Sequence, residues 1–255
     1  MFTYNEQEWW SLVNIKAWSF SRLSLYESCP YRAKLQYIDK IPEPERPLPA
    51  GKTEHANERG SRIHEAAEHY LSLQRDDLLE ELLNFKHEFE HLRNLAEEDQ
   101  SRVQCEGLWC FDDTWESVNP DDYNNVWLRV IIDSLVWLSP TEVVVIDFKT
   151  GKRYGNEIKH GQQMTLYALA VAMKYPEVEV IHTELWYLDL NELAYQRYLK
   201  DQALAFLKSF NMRALTLNED TEFKAKPNKS SCMFCPYGGA ENKWVVPTGD
   251  CDVGV

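Results

Sequence analysis

The chain has 255 residues, a formal net charge of −14 and 44% hydrophobic residues, apolar mass enough for one large domain or a domain with a small appendage. No apolar run reaches the ~18–20 residues a membrane helix requires, and the N-terminus lacks a charged-then-apolar leader. A soluble, cytoplasmic protein with no membrane partner is therefore expected. The acidity excludes a globally basic nucleic-acid binder, but not a local grip: cations gather at Arg22, Arg32 and Lys34, at Lys149, Lys152 and Arg153, and at Lys224, Lys226 and Lys229.

In chain order, residues 1–18 are rich in tryptophan but irregular; with Trp9, Trp10, Trp18 and Phe20 crowded together, packing is the favoured use of these rings. Ser19 and Ser21 offer helix caps before Leu23, Leu25 and Tyr26. Cys29-Pro30 interrupts, and a helical pattern resumes from Tyr31 to Ile38. Residues 41–58, with Pro42, Pro44, Pro47, Pro49 and Gly51, read as a loop. Gly60-Ser61 opens a helix with an Ile63, Ala66, Ala67, Tyr70 and Leu71 stripe, and a second helix is expected from Asp76 to Glu97. Strands follow near 101–111, 126–138 and 142–149, the acidic stretch Asp112 to Asp122 forming an exposed connection between the first two. A helix from His160 to Lys174, a strand from Val178 to Leu188 and a helix over 199–217 complete the pattern, and the chain is loop-like from Lys224. The strand–helix–strand unit over 142–188 predicts an α/β fold containing a parallel pair.

The stretch Val143 to Gly151 carries the chemistry. Four β-branched residues, Val143 to Ile146, read as a strand buried on both faces. Period two then sets Asp147 and Lys149 on one face, ~6–7 Å apart along the strand. The run Val126 to Leu138 delivers another carboxylate, Asp133. Mg²⁺ and Mn²⁺ favour oxygen ligands, and Mn²⁺ also accepts imidazole. Asp133, Asp147, the carbonyl of Phe148 and His64 on the Gly60 helix are the candidate metal ligands. Lys149 would orient the attacking water or offset transition-state charge. Glu106, on the preceding strand, is a weaker candidate.

The set Gly60-x-x-x-His64, Asp133, Asp147-Phe148-Lys149-Thr150-Gly151 and Gln163-x-x-x-Tyr167 resembles the PD-(D/E)XK nuclease superfamily. The similarity points to its RecB-like branch, which includes phage recombination exonucleases and CRISPR-associated adaptation nucleases. The resemblance implies a restriction-endonuclease-like core, a central mixed β-sheet flanked by helices. It implies that His64, Asp133 and Asp147 bind metal, that Lys149 is catalytic, and that Gln163 and Tyr167 line the active site from one helix face. An N-terminal helical segment over 1–58, a nuclease core over 59–220 and a cysteine-bearing C-terminal cap over 221–255 are expected. Lys152, Arg153 and Lys159, just past the Asp-x-Lys strand, are candidate DNA contacts.

The six cysteines are too unevenly placed for a secreted disulfide framework. Cys232-x-x-Cys235 is a thiolate hook, Cys251 follows, and Cys29 precedes Pro30. Together they resemble the iron–sulfur staple of RecB-like nucleases, which implies a 4Fe-4S cluster of structural role; zinc on the same thiolates and reduced, metal-free cysteines are the alternatives. The gap from Cys235 to Cys251 is longer than in those relatives. Cys105 and Cys110 read as small buried hydrophobes.

These features predict a metal-dependent DNA exonuclease, using Mg²⁺ or Mn²⁺, acting on linear duplex or single strands in recombination, repair or replication beside the proteins of those processes. No helicase phosphate-loop pattern is present, so a stand-alone, phage-like enzyme is expected, working in the host cytoplasm if phage-encoded. The rival expectations are a CRISPR-adaptation-like nuclease needing a protein partner, a non-catalytic DNA-binding scaffold, and an iron–sulfur regulatory protein.

Overall fold

The computed structural model describes residues 14–45, 47–238 and 248–253. The chain divides into two compact units, residues 51–210 and a second unit joining residues 1–50 to 211–255.

The second unit begins with α1 (Phe20–Ser28) and α2 (Pro30–Tyr37). The Ser19 hydroxyl accepts the Arg22 N–H and starts α1, while Pro30, at the first position of α2, loses no helical hydrogen bond there. Tyr26 donates to Asp220 Oδ2 at 2.8 Å, and Arg213 holds Glu27 through two hydrogen bonds of 2.6 and 2.8 Å. Trp18 and Phe20 are buried, in keeping with packing; Trp9 and Trp10 lie outside the described residues.

The 51–210 unit opens with α3 (Ala56–Leu71). It starts four residues before Gly60 because Glu58 accepts the His55 N–H at 2.9 Å and caps the earlier turn. The single helix expected over 76–97 is instead a 3₁₀ segment, Glu80–Phe85, followed by α4 (Lys86–Glu98). Arg93 explains the change. Its guanidinium donates to the carbonyls of Tyr70 and Arg75 and to Asp76, fixing residues 72–76 as a turn rather than a helix start.

The sheet holds β1 (Val103–Phe111), β2 (Ser117–Val118), β3 (Leu128–Ser139), β4 (Glu142–Lys149), β5 (Val180–Tyr187) and β6 (Glu192–Leu199) in the order β2-β1-β3-β4-β5-β6. β4 and β5 run parallel, joined across α5 (Glu157–Lys174), and the other neighbours run antiparallel. The sheet is therefore mixed and flanked by helices, as the motifs implied. The 112–122 connection is not merely exposed: it carries β2 and buries Trp115 against Phe111 and Trp127, ring centroids 5.9 Å away in each case. The helix expected over 199–217 splits into α6 (Lys200–Leu204) and α7 (Leu207–Glu219), and a short α8 (Lys229–Cys232) follows.

The core between the sheet and helices α3 and α4 is aromatic. Phe85 stacks on Trp186 at 5.0 Å, and Phe148 meets Phe89 at 5.3 Å and Trp186 at 5.6 Å. This arrangement positions the chemistry. Phe148 is driven into the core, so its neighbours Asp147 and Lys149 must project from the opposite face of β4. Among the described residues, no helix is long and apolar enough to cross a membrane.

Candidate active site

Asp133 lies where three elements meet. Its Oδ1 is 3.1 Å from His64 Nδ1 on α3, and its Oδ2 accepts the Phe148 N–H of β4 at 2.6 Å. Glu106 falls opposite Asp133 in the β1–β3 register, between the pairs Cys105↔Ser134 and Gly107↔Ile132. Its φ of +48° is unusual for a residue with a Cβ and interrupts regular strand geometry at that point. Ligand atoms of His64, Glu106 and Asp133 lie within 4.8 Å of one another. They border an open cleft with Gly60, Glu65, Glu68 and Ile131.

Asp147, almost completely buried, lies beside Lys149, whose Nζ is 2.6 Å from Asp147 Oδ2. The approach is a charge contact without hydrogen-bond geometry, and it leaves a buried carboxylate oxygen without a donor. The adjacent Lys149 ammonium offsets part of the cost of burying that charge. Lys149 Nζ donates to Gln163 Oε1 at 3.0 Å, and Gln163 Nε2 donates to the Tyr167 hydroxyl at 2.6 Å. Burial, and then the Asp147 and Asp133 charges, hold that hydroxyl well above its ordinary pKa. The α5 residues thus extend the contacts around the lysine, with Gln163 and Tyr167 one helical turn apart.

The charges are mutually strained. Burial raises the Asp147 pKa, opposed by Lys149 and reinforced by Asp133. Burial disfavours charge on His64, but its hydrogen bond to Asp133 and the nearby carboxylates lift its pKa above the ordinary value. Burial and then Asp133 and Glu68 raise Glu106. Excess carboxylate and an imidazole make a donor set that fits a hard divalent cation.

Two neighbouring features had no sequence signal. Arg59 grips Asp189 with bonds of 2.8 and 3.0 Å, and Asp189 Oδ2 also accepts the Gly151 N–H at 2.7 Å. This ties α3 to the turn leaving Lys149. Gly151 makes that turn at φ +93°, a conformation that favours glycine. Of the candidate DNA contacts, Lys152 and Lys159 are exposed, whereas Arg153 is held 2.5 Å from Glu192 and lies over the Tyr187 ring.

In the other unit, Cys29, Cys232, Cys235 and Cys251 line one cavity together with Arg32. Arg32 Nε is buried there without a hydrogen-bond partner. Cys105 and Cys110 are elsewhere, on β1, and burial raises both thiols, Cys105 to about 12.

A mixed sheet with two aspartates, one lysine and a helix-borne histidine at neighbouring strands defines a nuclease-type site. Residues 17–240 match the sequence profile of the PD-(D/E)XK nuclease superfamily, and the chain belongs to that superfamily; it is a nuclease by family. No curated protein matches it. Among solved structures it is similar to SSO0001, at 13% identity and TM-score 0.42, covering 91% of this chain and 89% of that one. It is also similar to an alkaline exonuclease, LHK-Exo, from Laribacter hongkongensis, at 12% identity and TM-score 0.26, covering 83% of this chain and 95% of that one. The family assignment rests on the profile match.

Proposed function

We propose that this nuclease is a divalent-metal-dependent DNA exonuclease of the RecB-like branch. One observation carries the proposal: Asp133, Asp147, Lys149 and Gln163 converge with His64 and Glu106 although they come from α3, three strands and α5. His64, Asp133, Asp147 and the Phe148 carbonyl would hold Mg²⁺ or Mn²⁺. The Phe148 N–H already points at Asp133, and the carbonyl of a strand residue points to the same side as its N–H. When bound, the ion supplies a polarised phosphoryl oxygen and a more acidic water.

Lys149 presents its ammonium where charge develops on the phosphate, and Gln163 fixes its direction. Tyr167 accepts from Gln163 and holds it in place. The test is degradation of end-labelled linear duplex and single-stranded DNA, beside closed circles, with Mg²⁺ or Mn²⁺. Metal-dependent loss of linear DNA alone supports the exonuclease. Cutting of circles makes it an endonuclease, and no cutting of any substrate removes the proposal.

The cysteine cavity supports a second, structural cofactor. Four thiols and a buried, unpartnered Arg32 Nε suit an anionic iron–sulfur cluster, with the arginine donating to sulfur. Zinc on the same four thiolates is the alternative occupant. Anaerobically purified protein should be brown; colourless protein containing zinc would replace the cluster with zinc.

A further inference from the structure

The mouth of the cleft carries a feature that the metal ligands do not explain. Ile131 lines the cleft beside Asp133 and Glu106, yet it is 52% exposed. Its register partner Leu108, 43% exposed, stands directly opposite on β1. Residues opposite each other on antiparallel strands share a face, so the two form an apolar step on the open surface. The next position on the same face of β3 is Arg129, paired with Cys110. The Arg129 guanidinium lies 6.0 Å from the ring centre of Tyr123, which is 71% exposed. Acid, apolar step, and cation with aromatic therefore succeed one another along β3, each advance of two residues covering ~6.6 Å.

We infer that this strip of β1 and β3 binds the single-stranded nucleic acid flanking the scissile phosphate. The inference rests on the nuclease proposal and deepens it by naming the substrate's form at the site. A single strand offers what the strip lacks: base faces for Leu108, Ile131 and Tyr123, and a phosphate for Arg129. A paired duplex hides its base faces in the stack, so an apolar and aromatic surface suits unpaired nucleotides. The occupant runs into the cleft because Ile131 belongs to both the strip and the cleft wall. Binding mainly through stacking also suits a chain of net charge −14, whose long-range field repels DNA.

Binding is measured with a fluorescent single-stranded oligonucleotide and full-length Asp147→Asn protein, so that the probe is not cut. Adding Tyr123→Ala should weaken binding about tenfold, and Ile131→Ala should weaken it by a smaller factor. Adding Arg129→Ala should make the salt dependence shallower by about 0.7 in log–log slope. In the otherwise native protein, Tyr123→Ala should raise KM and leave kcat within about twofold, the split expected for lost ground-state binding. All these residues are surface-exposed or half-buried, and an unchanged melting temperature checks folding. If the native chain cuts DNA and the variants bind and cut as it does, the strip is overturned and the nuclease stands. If binding to closed duplex weakens equally, the single-strand assignment is overturned. If the native chain cuts no nucleic acid with either metal, the nuclease proposal fails and the strip with it.

Discussion

The two halves of the candidate site solve opposite problems. Around Lys149 the polar groups meet one another: Asp147 and Gln163 contact the ammonium, Tyr167 backs Gln163, and the site is mostly closed to solvent. Around His64 the groups are in excess: Asp133, Glu106, Glu65 and Glu68 border an open cleft with one imidazole among them. The first half is preorganised by its own hydrogen bonds. The second is incomplete in charge, and a cation would complete it. Preorganised donors in one half and an under-neutralised carboxylate cluster in the other together provide orientation and cation affinity.

The largest expected effect lies in the closed half. Lys149→Ala or Asp147→Asn should lower kcat by at least about 10²–10³, as removal of a preorganised transition-state group does elsewhere, with the fold retained by circular dichroism. Residual activity within tenfold of native would mean that the enclosed lysine is structural. In the open half, Glu106→Gln should raise the Mn²⁺ or Mg²⁺ concentration for half-maximal activity by about tenfold, read by metal titration. An unchanged titration would place Glu106 outside the metal's reach. Smaller still, Tyr167→Phe removes one hydroxyl from the contacts around Lys149 and should cost about three- to tenfold in kcat, from the ~1 kcal/mol net value of a hydrogen bond.

The smallest effect concerns the clamp between the halves. The Arg59 hydrogen bonds, then the Gly151 N–H, hold the Asp189 pKa below the ordinary carboxylate value against a burial cost. A depressed folded pKa contributes stability that is present above the unfolded value near ~3.9 and is lost as pH falls through the folded one. The pair is about 30% exposed, so Asp189→Asn should cost no more than about 1 kcal/mol at pH 7. That difference should shrink below pH ~4 in denaturant melts. A constant difference across pH would mean that the loss does not come from the carboxylate's charge.

Legibility in the sequence followed the range of the forces involved. Strand β4 was visible because the continuous β-branched run Val143 to Ile146 reports burial residue by residue. β6 was missed: Glu192 to Leu199 is an exposed edge with weak alternation, stabilised by its ladder to β5. The helix expected from Asp76 was wrong in its first turns because Arg93 holds residues 70–76 from a distance in the chain. Glu106 carried only a faint signal, since an acid on a strand is commonplace until its register partner is known to be Asp133.

The sequence by itself determined the chemistry available: two aspartates, a lysine two residues past one of them, a histidine on a glycine-started motif, and a Gln–Tyr pair at helical spacing. Those are local patterns, written in residue type and period. Tertiary structure decided which of these groups meet, that the lysine is enclosed rather than free, and that Glu106 shares the cleft with His64. It also decided that Arg59 and Asp189 brace the turn, and that four cysteines line one cavity with Arg32, whose Nε has no hydrogen-bond partner. Such encounters depend on strand register and helix docking, which arise from burying Phe89, Phe148 and Trp186 together and leave no mark on the spacing of the charged residues themselves.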